Sequence, residues 1–67
     1  MSEPREHYDF EVMNEGTIFL FFPQTEGVME WFEEHTTAER FGDAFVVEHR
    51  YAYAIRQALV EEGFVGK

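Results

Sequence analysis

The pattern of hydrophobic and polar positions begins with two strands joined by a short loop. Residues 8–13 alternate between apolar and mostly polar side chains, which is the period-two pattern of a half-buried strand. Residues 17–22 (TIFLFF) are apolar at almost every position and predict a second strand. The loop Asn14-Glu15-Gly16 between them ends in glycine, which is typical of a hairpin. The sequence therefore predicts a β-hairpin.

The second strand is apolar on both of its faces. One face carries Ile18, Leu20 and Phe22, and the other carries Phe19 and Phe21. A chain of 67 residues rarely covers both faces of a sheet by itself. We predict that the Ile18 face receives the next helix. Phe19 and Phe21 are then either covered by other parts of the chain or form the contact of a homodimer.

A helical pattern follows the hairpin and spans Thr25 to Thr37. Pro23 ends the strand, and Thr25 is a suitable N-cap residue. Four glutamates fall within about a third of the helix circumference, opposite an apolar stripe. We term these four residues the acidic row: Glu26, Glu30, Glu33 and Glu34. The apolar stripe consists of Val28, Met29, Trp31, Phe32 and His35.

The remaining chain predicts one more strand and one more helix. Residues 36–43 are interpreted as a connection with a turn at Gly42-Asp43. The apolar run at residues 44–47 predicts a third strand, and residues 48–62 show helical spacing. Residues 64–65 can add a brief terminal strand.

These elements predict an α+β fold of the order ββαβα with an optional last β. The economical architecture has two layers, with a small antiparallel or mixed sheet and two helices on one of its faces. Residues 8–67 form a single domain, and residues 1–7 (MSEPREH) form a loose N-terminal arm without apolar periodicity.

Composition indicates that this small domain has a hydrophobic core but no disulfide bond. The chain contains eight Phe, three Tyr and one Trp, and such an apolar content excludes a disordered acidic tail. It has no cysteine, which excludes disulfides and thiolate metal sites. There is no apolar run of roughly 20 residues that could span a bilayer, and no signal-peptide pattern. We expect a cytoplasmic protein of a bacterial host cell.

The net charge is the most unusual property of the sequence. Fourteen acidic residues against five basic ones give -9, just beyond the magnitude of about 2–8 that is ordinary for a small domain. Such a surface repels nucleic acid and anionic lipid but attracts basic surfaces. The charge therefore serves either as a solubility coat or as a binding surface.

Several stretches resemble a known group of proteins. They are Asn14–Leu20 (NEGTIFL), Pro23, Trp31 and Val46–Tyr51 (VVEHRY). Together they resemble a group of short, uncharacterised bacterial proteins, often found near mobile elements, that share GTIFL, a proline, a tryptophan-bearing helix and VE-x-RY. The similarity covers most of positions 10–65. It implies a shared fold and no reaction, because none of these motifs contains a chemical constellation.

A second likeness is one of type only. In its size, its acidity and its lack of catalytic groups, the chain is similar to the small phage-encoded anti-CRISPR proteins. No anti-CRISPR motif matches residue by residue.

No constellation in the sequence supports catalysis or a metal site. The only serine is Ser2, and neither a nucleophile elbow nor a phosphate-binding glycine loop is present. His35, Glu39 and His49 lack any dedicated metal-ligand spacing. Glu48 is interpreted as a helix cap or as a partner of a nearby arginine. We therefore predict no catalytic residue, no metal, no cofactor and no enzymatic activity.

The acidic row offers the sharpest functional hypothesis. Like charges at i, i+4 destabilise a helix by about 0.2–0.5 kcal/mol per pair, and no lysine or arginine occurs from Glu26 to Glu39. The sequence favours a non-enzymatic inhibitor that mimics nucleic acid and blocks a basic DNA-binding surface, most concretely an anti-CRISPR protein that prevents target DNA binding. Asp9, Glu11 and Glu15 are predicted as secondary contacts. The alternative is a small homodimeric accessory module whose acidity serves only solubility.

Overall fold

The computed structural model describes residues 8–66, so the predicted arm at residues 1–7 lies outside the described residues. Within this range the chain forms four strands and two helices in the order ββαββα. The elements are β1 (Phe10–Asn14), β2 (Ile18–Pro23), α1 (Glu26–His35), β3 (Glu39–Phe41), β4 (Ala44–Glu48) and α2 (His49–Glu61).

The strands form one antiparallel sheet in the order β1-β2-β4-β3, and both helices contribute to the core on one of its faces. The predicted two-layer α+β fold is thereby confirmed. The optional terminal strand is reduced to a single parallel bridge between Phe10 and Gly66. The buried core cluster comprises Phe10, Phe21, Val28, Phe32, Phe45, Val47, Ala52 and Leu59.

The helix layer covers the face of β2 that carries Phe19 and Phe21. Phe21 is fully buried, and its ring lies 5.5 Å from the ring of Phe32 on α1. The predicted orientation of β2 is therefore wrong. Of the two alternatives for Phe19 and Phe21, the structure shows the one in which the chain itself covers them, so they are not free to form a homodimer contact. Because β2 is apolar on both faces, its own pattern leaves the inward face undetermined. The hairpin register decides it by pairing Val12 with Phe21.

The opposite side of the sheet has no helix over it among the described residues. We term it the open sheet face. Its apolar side chains are half-buried, except for Met13, which is 45% exposed. The members of this face are Glu11, Met13, Ile18, Leu20, Phe22 and Val46.

The helix α1 begins where the sequence predicts. The side-chain oxygen of Thr25 accepts a hydrogen bond of 3.4 Å from the backbone N–H of Val28. Val28 and Phe32 are fully buried, and the Phe32 ring is stacked on Phe45 at 4.4 Å between ring centroids. The apolar stripe therefore attaches α1 to the sheet.

The segment between α1 and β4 contains a strand that the sequence interpretation missed. Phe41 pairs with Ala44, so Gly42 and Asp43 form a two-residue hairpin loop. Gly42 has a φ of 64°, a left-handed conformation that glycine adopts without a steric penalty. The interpretation of residues 36–43 as an irregular connection is therefore corrected: only residues 36–38 are irregular, and the β3–β4 hairpin begins at Glu39.

Candidate partner-binding surface

The acidic row is exposed along the outer side of α1. Val28 and Phe32 are buried against the sheet, and this orientation directs the opposite side of the helix into solvent. All four glutamates of the row are exposed. The structure thus brings together the four principal residues predicted from the sequence, while their role in binding stays a prediction.

Within residues 8–66, no basic side chain forms an ion pair with the acidic row. Within residues 8–66 the only ion pair joins the Arg50 Nε atom to the Glu48 Oε1 atom at 3.2 Å, and both side chains are largely exposed. No member of the acidic row has a basic partner among the described residues. The row therefore presents carboxylates without a basic neighbour to solvent.

The three secondary candidates do not join this row. The Asp9 carboxylate accepts a hydrogen bond of 2.7 Å from the backbone N–H of Val65, and the Asp9 N–H donates to the Val65 carbonyl. Asp9 therefore fastens the C-terminal segment to β1. Glu11 lies on the open sheet face, on the other side of the sheet from α1, and Glu15 lies in the β1–β2 turn. The seven predicted contact residues do not form one continuous face.

A groove lies beside the end of α1, between the following segment, the end of β4 and the first half of α2. It is open to solvent and has a volume of about 840 Å³. Its lining includes apolar side chains from three parts of the fold: Ala38, Val47 and Ile55. Val47 is buried, whereas Ala38 and Ile55 are half-buried and pack against the core. Among these three side chains, Ala38 and Ile55 therefore provide the accessible apolar surface of the groove.

Three carboxylates from different elements line the same groove: Glu34, Glu39 and Glu48. Glu34 also belongs to the acidic row, so the groove and the row are continuous. The sequence interpretation considered Glu39 only as a metal ligand and not for partner binding, and it missed the strand β3 that carries this residue. The Gly42-Asp43 pair, between two short runs of β-forming residues, was the signal that could have revealed this hairpin.

Glu48 was predicted to be a helix cap or the partner of an arginine. It occupies the N-cap position of α2 but makes no side-chain cap hydrogen bond, and its carboxylate pairs with Arg50 instead. Tyr51, also in the groove lining, is 52% exposed, and the Arg50 guanidinium lies 5.1 Å from its ring centroid. Of the predicted alternatives for Glu48, the structure therefore shows the arginine pair.

His35 has a packing role at the end of α1. Its ring is stacked on Trp31 with 4.9 Å between centroids, and its Nδ1 atom donates a hydrogen bond of 3.1 Å to the Trp31 carbonyl. Residues 8–66 contain no group of three or more His, Asp or Glu side chains that could hold a metal ion. In the same part of the chain, no helix has both the length and the apolar character needed to cross a membrane.

Comparison of the chain with protein families, with curated proteins and with solved structures finds no match. Function is therefore inferred from the surface of this molecule, and the two resemblances noted from the sequence stay predictions.

Proposed function

We propose that the protein is a non-enzymatic binding protein whose acidic row engages a basic surface that otherwise holds nucleic acid. The observation that supports this proposal is the set of four exposed carboxylates on one helix face without a basic partner in residues 8–66. Side chains on successive turns of a helix are about 5–6 Å apart, a spacing on the scale of neighbouring phosphates along one DNA strand. Lysine and arginine side chains arranged for phosphates would meet carboxylates at similar intervals.

The proposed mechanism is steric and electrostatic competition. The row occupies the basic surface, the body of the protein blocks the path of the nucleic acid, and long-range attraction accelerates the encounter. The most concrete version, which follows the likeness in size and acidity, is an anti-CRISPR protein. It would prevent a CRISPR effector from binding target DNA in the cytoplasm of a bacterial host cell.

A second candidate function is a small homodimeric accessory module whose acidity serves solubility. The open sheet face favours this candidate. No helix of the described chain covers it, and its side chains Leu20, Phe22 and Val46 are only half-buried. A second copy would then lie on this face instead of on Phe19 and Phe21. This candidate predicts a dimer, whereas the first candidate requires none.

The test of the first proposal distinguishes the effect of where the negative charges lie from the effect of the total charge of the protein. The double variant Glu30→Lys/Glu33→Lys reverses two charges in the acidic row. The matched control, Glu61→Lys/Glu62→Lys, reverses two exposed charges at the C-terminal end of α2, which belong neither to the acidic row nor to the groove lining. Each variant competes with labelled duplex DNA for a panel of purified DNA-binding proteins, including CRISPR effector complexes, and fluorescence anisotropy measures the displacement.

We expect the wild-type protein to displace DNA from at least one member of the panel. The row variant should lose at least about 30-fold in affinity, or about 2 kcal/mol, since attraction becomes like-charge repulsion. The affinity of the control should change by less than about threefold, because exposed charges outside the contact act only at a distance and are screened by salt. Equal losses in both variants would show that only total charge matters, and failure of the wild type to displace DNA from any member would contradict the proposal.

A further inference from the structure

The groove beside the acidic row contains apolar surface, which the row lacks. We propose that it receives an aliphatic or aromatic side chain of the partner, flanked in the partner's sequence by lysine or arginine. This inference rests on the proposed function, because it specifies the class of basic segment that the acidic surface binds. The protein would thereby distinguish an apolar-anchored basic segment from a purely cationic surface.

The apolar part of the groove lining includes side chains that solvent reaches: Ala38, Val46, Ala54 and Ile55. Val47 is 3% exposed, and Ile55 and Ala38 pack against the same core. The position of these side chains is fixed by β4, by α2 and by the segment that precedes β3. Because the site is held by packed elements, little conformational entropy is lost when a side chain enters. Burial of a leucine side chain against such a surface corresponds to a gain in affinity of about tenfold or more.

Charge complementarity identifies the residues that flank this side chain. Glu34 and Glu39 have no ion-pair partner within residues 8–66, and Glu48 has only the exposed pair with Arg50. Among the described residues, the groove lining contains neither lysine nor arginine. An acidic segment would be repelled, and an uncharged one would leave the carboxylates without partners. A basic flank on each side of the apolar anchor matches both the lining and its charge.

Because the acidic row and the groove are continuous, one basic segment can occupy both. Glu34 lies at the end of the acidic row and also lines the groove. A basic segment that follows α1 therefore reaches the groove without crossing an uncharged gap. The row provides attraction along its length, and the groove selects a segment that carries an apolar side chain among its cations.

The probes are two synthetic peptides of equal charge, KKLKK and KKSKK, acetylated and amidated at their ends. Each is titrated into the isotope-labelled protein, and heteronuclear NMR reports both the affinity and the residues whose signals shift. We expect KKLKK to bind about tenfold more tightly than KKSKK and to shift the signals of Ala38, Val47 and Ile55. KKSKK should shift mainly the signals of the acidic row.

A pair of variants on α2 tests the site. Ala54 is exposed and lines the groove, whereas Gln57 is exposed on the same helix and is not part of the lining. The substitution Ala54→Arg places a bulky cation in the groove and should remove the tenfold preference for KKLKK. Gln57→Arg makes the same change in net charge and should preserve the preference within about twofold.

The possible results separate this inference from the function on which it rests. If both peptides bind the row with equal affinity, the groove proposal is overturned while the acidic binding function stands. If KKLKK shifts the open sheet face around Leu20 and Phe22 instead, the groove proposal is overturned as well. If neither peptide binds, both proposals are overturned together. Preference for KKLKK that survives Ala54→Arg also overturns the assignment to the groove.

Discussion

Phe32 joins the two layers of the molecule. Its ring is stacked on Phe45 with an interplanar angle of 6°, meets the edge of Trp31 at 5.4 Å and lies 5.5 Å from Phe21. Trp31 belongs to the same helix as Phe32, whereas Phe21 belongs to β2 and Phe45 to β4, so Phe32 connects α1 to two strands. Its removal leaves a cavity at the place where the helix layer and the sheet meet.

The substitution Phe32→Ala is expected to unfold the protein. Replacement of a buried phenylalanine by alanine costs about 3–5 kcal/mol, and a domain of this size has roughly 3–5 kcal/mol of stability in total. Circular dichroism during a urea titration at neutral pH measures the loss. Tyr53→Ala is the control, because Tyr53 is 74% exposed and its removal should cost less than about 0.5 kcal/mol. A cooperative transition of wild-type midpoint for Phe32→Ala would contradict this account of the core.

Individual residues show how far the sequence determines a role. The exposed side of α1 followed from helical periodicity, because Val28 and Phe32 could be buried only if Glu30 faced solvent. The role of Asp9 did not follow, since its hydrogen-bond donor is Val65, 56 positions along the chain. A contact of this range depends on the completed fold, and no local pattern in the sequence reveals it.

The β3–β4 hairpin is the element that carries Glu39 to the groove. Its two-residue loop requires glycine at its first position, where φ is 64°. The neighbouring Asp43 has a negative φ, since no residue other than glycine has a positive φ in residues 8–66. The hairpin therefore depends on one backbone conformation at Gly42.

Substitution of Gly42 by alanine is expected to destabilise the protein by about 1–2 kcal/mol, because the new Cβ atom strains a left-handed residue. Among residues 8–66, no atom outside the immediate neighbours lies within 4 Å of the added Cβ, so the effect would come from the backbone conformation. Urea unfolding measures the change, and Asp43→Ala in the same loop is the control. Equal stability of Gly42→Ala and the wild type would show that the loop tolerates another turn type.

At the scale of elements, the sequence predicted α1, α2 and three of the four strands within one or two residues of their ends. Two features escaped it for different physical reasons. The strand β3 has only three residues, all of them exposed, so it has no apolar periodicity to detect. The inward face of β2 was misassigned because both faces are apolar and only pairing with β1 distinguishes them.

The whole molecule has two surfaces of different character. The acidic row lies on the helix layer and the open sheet face lies on the opposite side of the sheet. The groove adjoins both, because Val46 of the open sheet face also lines it. Glu11, Glu39 and Glu48 lie on the strands of the open face or at its margins. In a dimer that stacks two such faces, these carboxylates and the net charge of -9 would repel each other.

Sedimentation equilibrium at several concentrations distinguishes the two candidate functions. The acidic-binding proposal predicts a monomer of 8.0 kDa at moderate salt. It requires no contact between two copies, and the negative charges of two copies repel each other. The accessory-module candidate predicts a dimer that dissociates in Leu20→Glu, at the centre of the open sheet face, and persists in the control Tyr53→Glu. A tight dimer with these properties would favour the accessory module over the acidic-binding proposal.

If the acidic row is the contact with a basic partner, binding depends strongly on salt concentration. The measurement is the dissociation constant of the complex with the panel member that the wild type binds, across a range of salt concentrations. The account predicts that wild-type affinity falls about tenfold or more between roughly 50 and 200 mM salt, because a charge-dominated contact is screened. Glu30→Lys/Glu33→Lys should bind weakly with a shallower dependence, while Glu61→Lys/Glu62→Lys follows the wild type. A wild-type affinity that is insensitive to salt, or a row variant with unchanged affinity and slope, would contradict the account.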